Sequence, residues 1–359
     1  MKTAILTFQF AENYGALLQA YALKEYLVKK GAEVSFIDYT PDKEKVFYSL
    51  NPLSAGNPKA IIKKSLQIKD RSKIHKLFQN FQRDYLNVPS GVKYNPKDLT
   101  ERFDCIIVGS DQVWNRHIVE DMSPYLLKGM DGNCVKASYA ASMSILEPQV
   151  MIENGMITEL QKFDFISVRE ESAGEFLQEN GINAVTVVDP VYLLPGTEWS
   201  KLAKRPKAIS PDKNYVLLYL LRDDIEYVKN AEKYAADRGL ELYYFHPLNR
   251  KLNASYAKLI RDVDPFEFVW LIEHAEAIFT NSFHATAFSS IFGKCIRYLH
   301  KDGLGNRVFD LLKTVNASEK DDGCTEVSVN DCAAFQDRMN ISIEYLDSIR
   351  ARAERKDLG

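Results

Sequence analysis

The strongest constraint on this chain is a repeated alternation of short apolar runs with longer segments of helical spacing. Thr3–Phe8 reads as a strand, followed by a polar loop, Gln9–Gly15. Ala16–Lys30 places Leu17, Ala20, Tyr21, Leu23, Leu27 and Val28 at the spacing of one helix face. Gly31 stands just past the end of that segment, where a helix-terminating glycine belongs. Val34–Asp38, Cys105–Val108, Val135–Ala140, Phe165–Val168 and Val185–Val188 read as further strands. Glu170–Asn180 reads as a helix stopped by Gly181. After a Pro- and Lys-rich stretch, Pro195–Lys213, the pattern restarts. Tyr215–Leu221, Leu240–Phe245 and Ala277–Phe279 are strand candidates; Glu226–Arg238 and Phe266–His274 are helix candidates. A last helix runs to Phe292 and is closed by Gly293. Repeated β–α units of this kind predict parallel sheets covered on both faces.

The expected fold class is therefore α/β, with two Rossmann-like, doubly wound domains. Residues 1–195 form the first and 213–330 the second, joined near Pro195–Asp212. Residues 331–359 are expected to form a C-terminal helix that packs back on the first domain. A length of 359 residues suits two domains. With 46 Lys+Arg against 49 Asp+Glu, the net charge of −3 lacks the basic excess that coating nucleic acid requires. No nucleic-acid partner is expected. The five cysteines, Cys105, Cys134, Cys295, Cys324 and Cys332, form no C-x-x-C pair. They read as reduced thiols, mostly packed, in a cytoplasmic protein. No segment has the length of a membrane span, and the N-terminal apolar run, broken by Gln9 and Glu12, reads as a first strand rather than a signal peptide.

In such sheets ligands bind outside the carboxyl ends of the strands. Thr280-Asn281-Ser282-Phe283-His284 follows a short strand and opens a helix, whose unpaired N–H groups favour a phosphate or carboxylate. His284 adds a group that moves protons near neutral pH; the alternative is a plain cap followed by a packed histidine. Arg169 also follows a strand, and its guanidinium suits a carboxylate or phosphate fork; the alternative is a surface ion pair. Its neighbours Ser167 and Glu170 have capping-box spacing. Asn13-Tyr14-Gly15 enters the first helix, and Asp111, Gln112 and Trp114 follow the Cys105–Val108 strand. These offer amides, a carboxylate and a stacking face to a sugar, although a Trp there also suits a core.

The familiar nucleotide and hydrolase motifs are missing: no G-x-G-x-x-G loop, Walker A loop, G-x-S-x-G elbow or H-E-x-x-H is present. Asp262-Val263-Asp264 has the D-x-D form of some metal-dependent transferases, but it precedes Pro265 rather than closing a clear strand, and no metal site is assigned. Two basic stretches remain. Lys59–Lys76 sets seven basic residues against Asp70 alone, within a helical segment near 59–81 that also carries Ile61, Ile62, Leu66 and Leu77. Ser348–Lys356 is the second, with Arg350, Arg352, Arg355 and Lys356 against Glu354. Each is either a solvated helix face or a contact for an anionic membrane surface.

Several segments together resemble the polysaccharide pyruvyl transferase family. They are Asn13–Ala16 with Gln19–Leu23, Asp104–Asn115 (DCIIVGSDQVWN), Ser138–Ser142 (SYAAS), Ser167–Glu170 (SVRE), Val188–Pro190 (VDP), Phe279–Phe288 (FTNSFHATAF) with Gly293-Lys294, and Gly305-Asn306-Arg307. Their order and spacing span residues 1 to 313.

The resemblance implies a GT-B-like fold, with two Rossmann-like halves facing across a cleft. It implies transfer of pyruvate from phosphoenolpyruvate onto two hydroxyls of a lipid-linked sugar, forming a cyclic ketal with release of phosphate. The setting it implies is synthesis of capsule or other surface polysaccharide, on the cytoplasmic side of the inner membrane. Phosphoenolpyruvate is then the donor substrate, and no cofactor is expected. Arg169 and His284 occupy positions that lie at the donor site in characterised members, with Ser282 and Arg307 as further donor contacts. Many members carry Arg where this chain has Ser282, and Arg307 is the candidate to supply that charge. Asn13, Tyr14, Asp111, Gln112 and Trp114 are the acceptor candidates. The alternatives are a nucleotide-sugar glycosyltransferase on the same fold and a non-catalytic part of a polysaccharide assembly complex.

Overall fold

The structure, a computed structural model, describes all residues except 89–91, 131, 133, 145, 211–213, 253–255, 298–305, 320–324, 331 and 357–359. Gly305 of the Gly305-Asn306-Arg307 element and Cys324 lie outside the described residues. The first half runs β1 (Lys2–Leu6), α1 (Tyr14–Lys29), β2 (Glu33–Asp38), α2 (Asp42–Tyr48), α3 (Pro58–Asp84), β3 (Val92–Lys93), α4 (Pro96–Arg102), β4 (Cys105–Val108) and β5 (Val135–Ser138). It continues through α5 (Pro148–Glu153), α6 (Met156–Leu160), β6 (Ile166–Val168), α7 (Glu171–Glu179) and β7 (Ala184–Thr186). Five parallel strands take the order β3-β2-β1-β4-β5. The parallel pair β6–β7 joins them through single bridges, Ala137 to Phe165 and Ala141 to Val168. β4, Cys-Ile-Ile-Val, is buried throughout, which is why it reads as an unbroken apolar run rather than an alternating one.

The second half runs α8 (Gly196–Leu202), β8 (Tyr215–Tyr219), α9 (Ile225–Asp237), β9 (Glu241–Tyr244), β10 (Lys258–Leu259), α10 (Pro265–Glu273), β11 (Ala277–Thr280) and α11 (Phe283–Ile291). It closes with β12 (Cys295–Arg297), α12 (Asn306–Thr314), β13 (Asn316–Glu319), β14 (Thr325–Ser328) and α13 (Ala333–Lys356). The strand order is β10-β9-β8-β11-β12-β14-β13. The sequence pattern suggested parallel strands alone, but β14 runs antiparallel to both β12 and β13. The connection at 320–324 is too short for a parallel crossover, so β13 and β14 pair as a hairpin.

The two halves are packed together more closely than a hinge at Pro195–Asp212 implies. That stretch contains α8, whose Trp199 is fully buried and donates Nε1–H to the Val191 carbonyl at 2.9 Å. A single apolar cluster runs from α1 into the second half. Tyr21 meets Phe266 edge-on with ring centroids 5.6 Å apart, and Trp199 meets Phe288 at 5.0 Å. Each fully buried aromatic of this kind contributes roughly 1.5–3 kcal/mol by leaving water, so the halves are held as one body along this side. The C-terminal helix α13 crosses back to the first half, where Tyr345 donates its hydroxyl to the Ser138 carbonyl at 2.7 Å and Ser342 Oγ accepts from Val188 N–H. Among the described residues, no helix is long and apolar enough to cross a membrane.

Candidate active site

The ends of β4, β6, β7 and β11 and the starts of α1, α7, α11 and α12 supply the residues of the site. Asn13 caps α1, its side-chain oxygen accepting from Ala16 N–H at 3.2 Å. Ser282 caps α11 in the same way, accepting from Ala285 N–H at 3.3 Å. The two capped helices meet head to head. A Cβ on Gly15 would stand 2.1 Å from His284 Nδ1 and 2.3 Å from its Cγ, so the imidazole lies directly on the Gly15 backbone. Only glycine permits this approach.

The other side of His284 faces Asp189. His284 Nε2 is buried without a hydrogen-bond partner, 3.6 Å from Asp189 Oδ2. Asp189 follows β7, and its side chain is fully enclosed. It accepts from Arg169 Nη1 at 2.9 Å, from Ser110 Oγ at 3.3 Å and from Val191 N–H at 3.1 Å. Burial by itself would raise its carboxyl pKa. The neighbouring His284, the Arg169 guanidinium and the Val191 N–H outweigh burial and hold it well below the ordinary carboxylate range.

Arg169 is nearly as enclosed. Its Nε donates to Glu170 Oε1 at 3.3 Å, and its guanidinium lies 4.1 Å from the Phe283 ring centroid. One donor, Nη2, has no partner. Ser167 and Glu170 do not form the capping box their spacing suggests. Ser167 lies in β6 and hydrogen-bonds Ser138, while Glu170 accepts from Ser142 Oγ at 2.6 Å and makes no side-chain cap bond. The box fails because Glu170 is drawn into the polar cluster.

Arg169, Glu170, Asp189 and Phe283 line a cavity of about 30 Å³, together with Arg307 and Asp310 from α12 and Arg338 from α13. Burial and the charge of Arg169 push the Arg307 guanidinium below its usual pKa, and its Nε also lacks a partner. Arg338 donates Nη1–H to Thr314 Oγ1 at 3.0 Å and pairs with Glu171. Three guanidiniums, two of them with unused buried donors, share this cavity with the carboxylates of Glu170, Asp189 and Asp310.

A second pocket, of about 390 Å³, opens on the first-half side. Asn13, Asp111 and Gln112 line it among Phe8, Phe10, Phe47 and Tyr48. Asp111 stands at φ 71° and accepts from Gln112 N–H, which turns the chain at the end of β4. His284 lines neither pocket but has neighbours at both. Gly15 on one side is flanked by Asn13 and Ala16 of the larger pocket; Asp189 and Phe283 on the other line the smaller.

The structure therefore gathers Arg169, His284 and Arg307, and separately Asn13, Asp111 and Gln112. Three candidates fall elsewhere. Trp114 is fully buried and donates Nε1–H to the Tyr125 carbonyl, so it offers no stacking face. Tyr14 is fully buried too; it stacks on Phe268 and donates its hydroxyl to the Val263 carbonyl, fastening the two halves. Ser282 uses its hydroxyl for capping and does not line the small cavity. The D-x-D residues are also accounted for: Asp264 forms a capping box with Glu267, and Asp262 accepts from Asn249. Sequence reasoning missed Asp189, Glu170 and Arg338. Asp189 stood in a matched segment, but only the fold brings it against His284. Nothing in the spacing of Arg338 marks it.

The polysaccharide pyruvyl transferase family profile matches residues 13–298. The chain belongs to this family. Its members are transferases of polysaccharide biosynthesis, so this pyruvyl transferase family member is an enzyme by descent. A search of curated proteins finds no match. Among solved structures, the chain is similar to UDP-N-acetylglucosamine 2-epimerase from Rickettsia bellii, at 12% identity over 99% of this chain and 97% of that one, with a TM-score of 0.52. It is also similar to the glycosyltransferase SnogD from Streptomyces nogalater, at 11% identity over 100% and 99% of the chains, with a TM-score of 0.38. At these identities the likeness speaks to the fold alone, which is GT-B.

Proposed function

We propose that the enzyme moves pyruvate from phosphoenolpyruvate onto two hydroxyls of a lipid-linked sugar, forming a cyclic ketal and releasing phosphate. The observation that carries this reading is the set of buried, unused donors on Arg169 and Arg307 beside His284. Phosphoenolpyruvate carries a carboxylate and a phosphate on the same carbon, C2, and two guanidiniums match that pair. The cavity, at about 30 Å³, has room for about two waters, so donor binding requires it to open. The Asn13–Asp111–Gln112 pocket, with its aromatic walls, is the acceptor side.

The chemistry begins with a proton added to the donor methylene carbon, which makes C2 electrophilic. The first sugar hydroxyl adds to C2 and gives up its proton. Phosphate then leaves, and the second hydroxyl captures C2 and gives up its own proton. His284, with neighbours at both pockets, carries one of these protons, either as acid to the methylene or as base for a hydroxyl. Asp189 sets a carboxylate 3.6 Å from His284 Nε2, close enough to orient the imidazole. Arg169 and Arg307 hold the donor anions and stabilise charge on the departing phosphate.

Calorimetry with phosphoenolpyruvate and with UDP-N-acetylglucosamine, on wild type and on Arg307→Ala, tests the reading. Selective phosphoenolpyruvate binding that Arg307→Ala weakens at least tenfold supports it. Binding of the nucleotide sugar alone overturns it in favour of glycosyl transfer.

A further inference from the structure

Helix α3 is anchored at one end only. Its buried residues, Arg71, Ile74, Phe78 and Phe81, all lie in its second half. There Arg71 and His75 pair with Glu12 of the first half, and Asp70 accepts from Asn249 and Arg261 of the second. The first half of α3 stands clear of the core beside the turn Pro52–Ala55 and next to α2.

This projecting end carries large apolar side chains in water. Leu66 is 78% exposed, Leu53 73% and Ile62 62%, with Val46 and Phe47 of α2 about half exposed. Lys59 and Lys63, Ile62 and Leu66, and Lys69 and Lys73 are each four residues apart, and all six share one exposed helix face. Their four ammonium groups have no ion-pair or hydrogen-bond partner among the described residues. Scattered exposed leucines are ordinary. A patch of them set among unpaired lysines is not, and it lies beside a pocket whose wall includes Phe47 and Tyr48.

We propose that this α2–α3 face docks on an anionic lipid bilayer. Leu53, Ile62 and Leu66 enter the headgroup layer, while Lys59, Lys63, Lys69 and Lys73 meet the anionic headgroups. Charge complementarity selects this occupant: an uncharged apolar partner leaves four lysines unsatisfied, and a nucleic acid leaves the leucines in water. The face would bring the larger pocket to the membrane surface, where an amphiphilic acceptor resides. The argument rests on the surface alone and is independent of the donor chemistry proposed above.

The test is co-sedimentation of the full chain with phosphatidylcholine vesicles, with and without phosphatidylglycerol, at low and high salt. Wild type is expected to bind the anionic vesicles and to release at high salt. Each lysine contributes roughly fivefold to partitioning, so Lys63→Glu/Lys69→Glu lowers binding by roughly 25-fold or more. Ile62→Ser/Leu66→Ser is expected to lower it as well. Both pairs are exposed, so neither disturbs the core, and phosphoenolpyruvate binding stays at the wild-type level. No binding to anionic vesicles overturns the proposal. Binding that survives both variants overturns it by placing the contact elsewhere, such as on the basic end of α13. Binding that needs the lysines but not Ile62 and Leu66 overturns insertion and leaves surface adsorption only.

Discussion

Replacing Gly15 with Ala separates two readings of the same helix start by the sign of the effect. If Gly15 were an ordinary helical glycine, the added methyl would stabilise the chain by roughly 0.5–1 kcal/mol. The structure puts that methyl 2.1 Å from His284 Nδ1, 2.3 Å from Cγ and 2.8 Å from Cβ. Non-bonded heavy atoms settle near ~3.5 Å, so the imidazole must retreat by roughly 1.4 Å. It has little room, because Asp189 lies behind it and α11 is capped in place by Ser282. Overpacking of this kind costs about 1–3 kcal/mol, which outweighs the helix gain. A displacement of about 1 Å at a reacting group also costs roughly 100-fold in rate. The expected result is a variant slightly less stable in urea unfolding, with phosphate release from phosphoenolpyruvate in the presence of acceptor lowered by about two orders of magnitude. In a His284→Ala background the two closest contacts are removed and only the one with Cβ remains, so Gly15→Ala becomes less costly than in wild type, with a coupling of at least ~1 kcal/mol. A Gly15→Ala protein that is more stable than wild type and equally active refutes the reasoning.

Asp189→Asn leaves Arg169 short of a buried partner and is expected to cost about 3–5 kcal/mol in denaturant unfolding. Because the folded-state pKa of Asp189 lies below its unfolded value of about 3.9, its stabilisation is complete above that value and is lost as pH falls through the folded pKa. The stabilities of wild type and Asp189→Asn should therefore begin to approach each other below about pH 4 and meet only well below it. Trp114→Phe removes the bond to the Tyr125 carbonyl and is expected to cost about 1–3 kcal/mol while leaving acceptor affinity unchanged; a loss of acceptor binding at unchanged stability would contradict its place in the core. Arg338→Ala is expected to weaken phosphoenolpyruvate binding about tenfold, because a charge-assisted contact contributes about 1.5–3 kcal/mol; calorimetry checks this.

The residues show why some of this was readable in advance. The β–α alternation survives in the structure almost segment for segment because a buried parallel strand must be apolar and a covering helix must be amphipathic. Arg169 and His284 were legible because they directly follow strands, and the carboxyl ends of parallel strands are where such folds place ligands. Trp114 and Tyr14 misled for the same reason: they too follow strands, but an aromatic ring at a strand end turns inward wherever the core has space for it. The segment joining the halves looked like a linker because Pro and Lys dominate it, yet Trp199 and Ile209 tie it into the core.

Local sequence thus determined what depends on near neighbours: element type, helix caps such as Asn13 and Asp264, and the basic, leucine-bearing face of α3. The tertiary structure alone decided what depends on distant ones. Asp189 meets His284 across 95 positions of chain, and the ring of His284 rests on Gly15 across 269. Arg338 reaches the same cavity only because α13 returns to the first half. Propensity and periodicity reflect interactions within a turn or two of chain, whereas an enclosed charge cluster is set by which strand ends the packing of two sheets brings together.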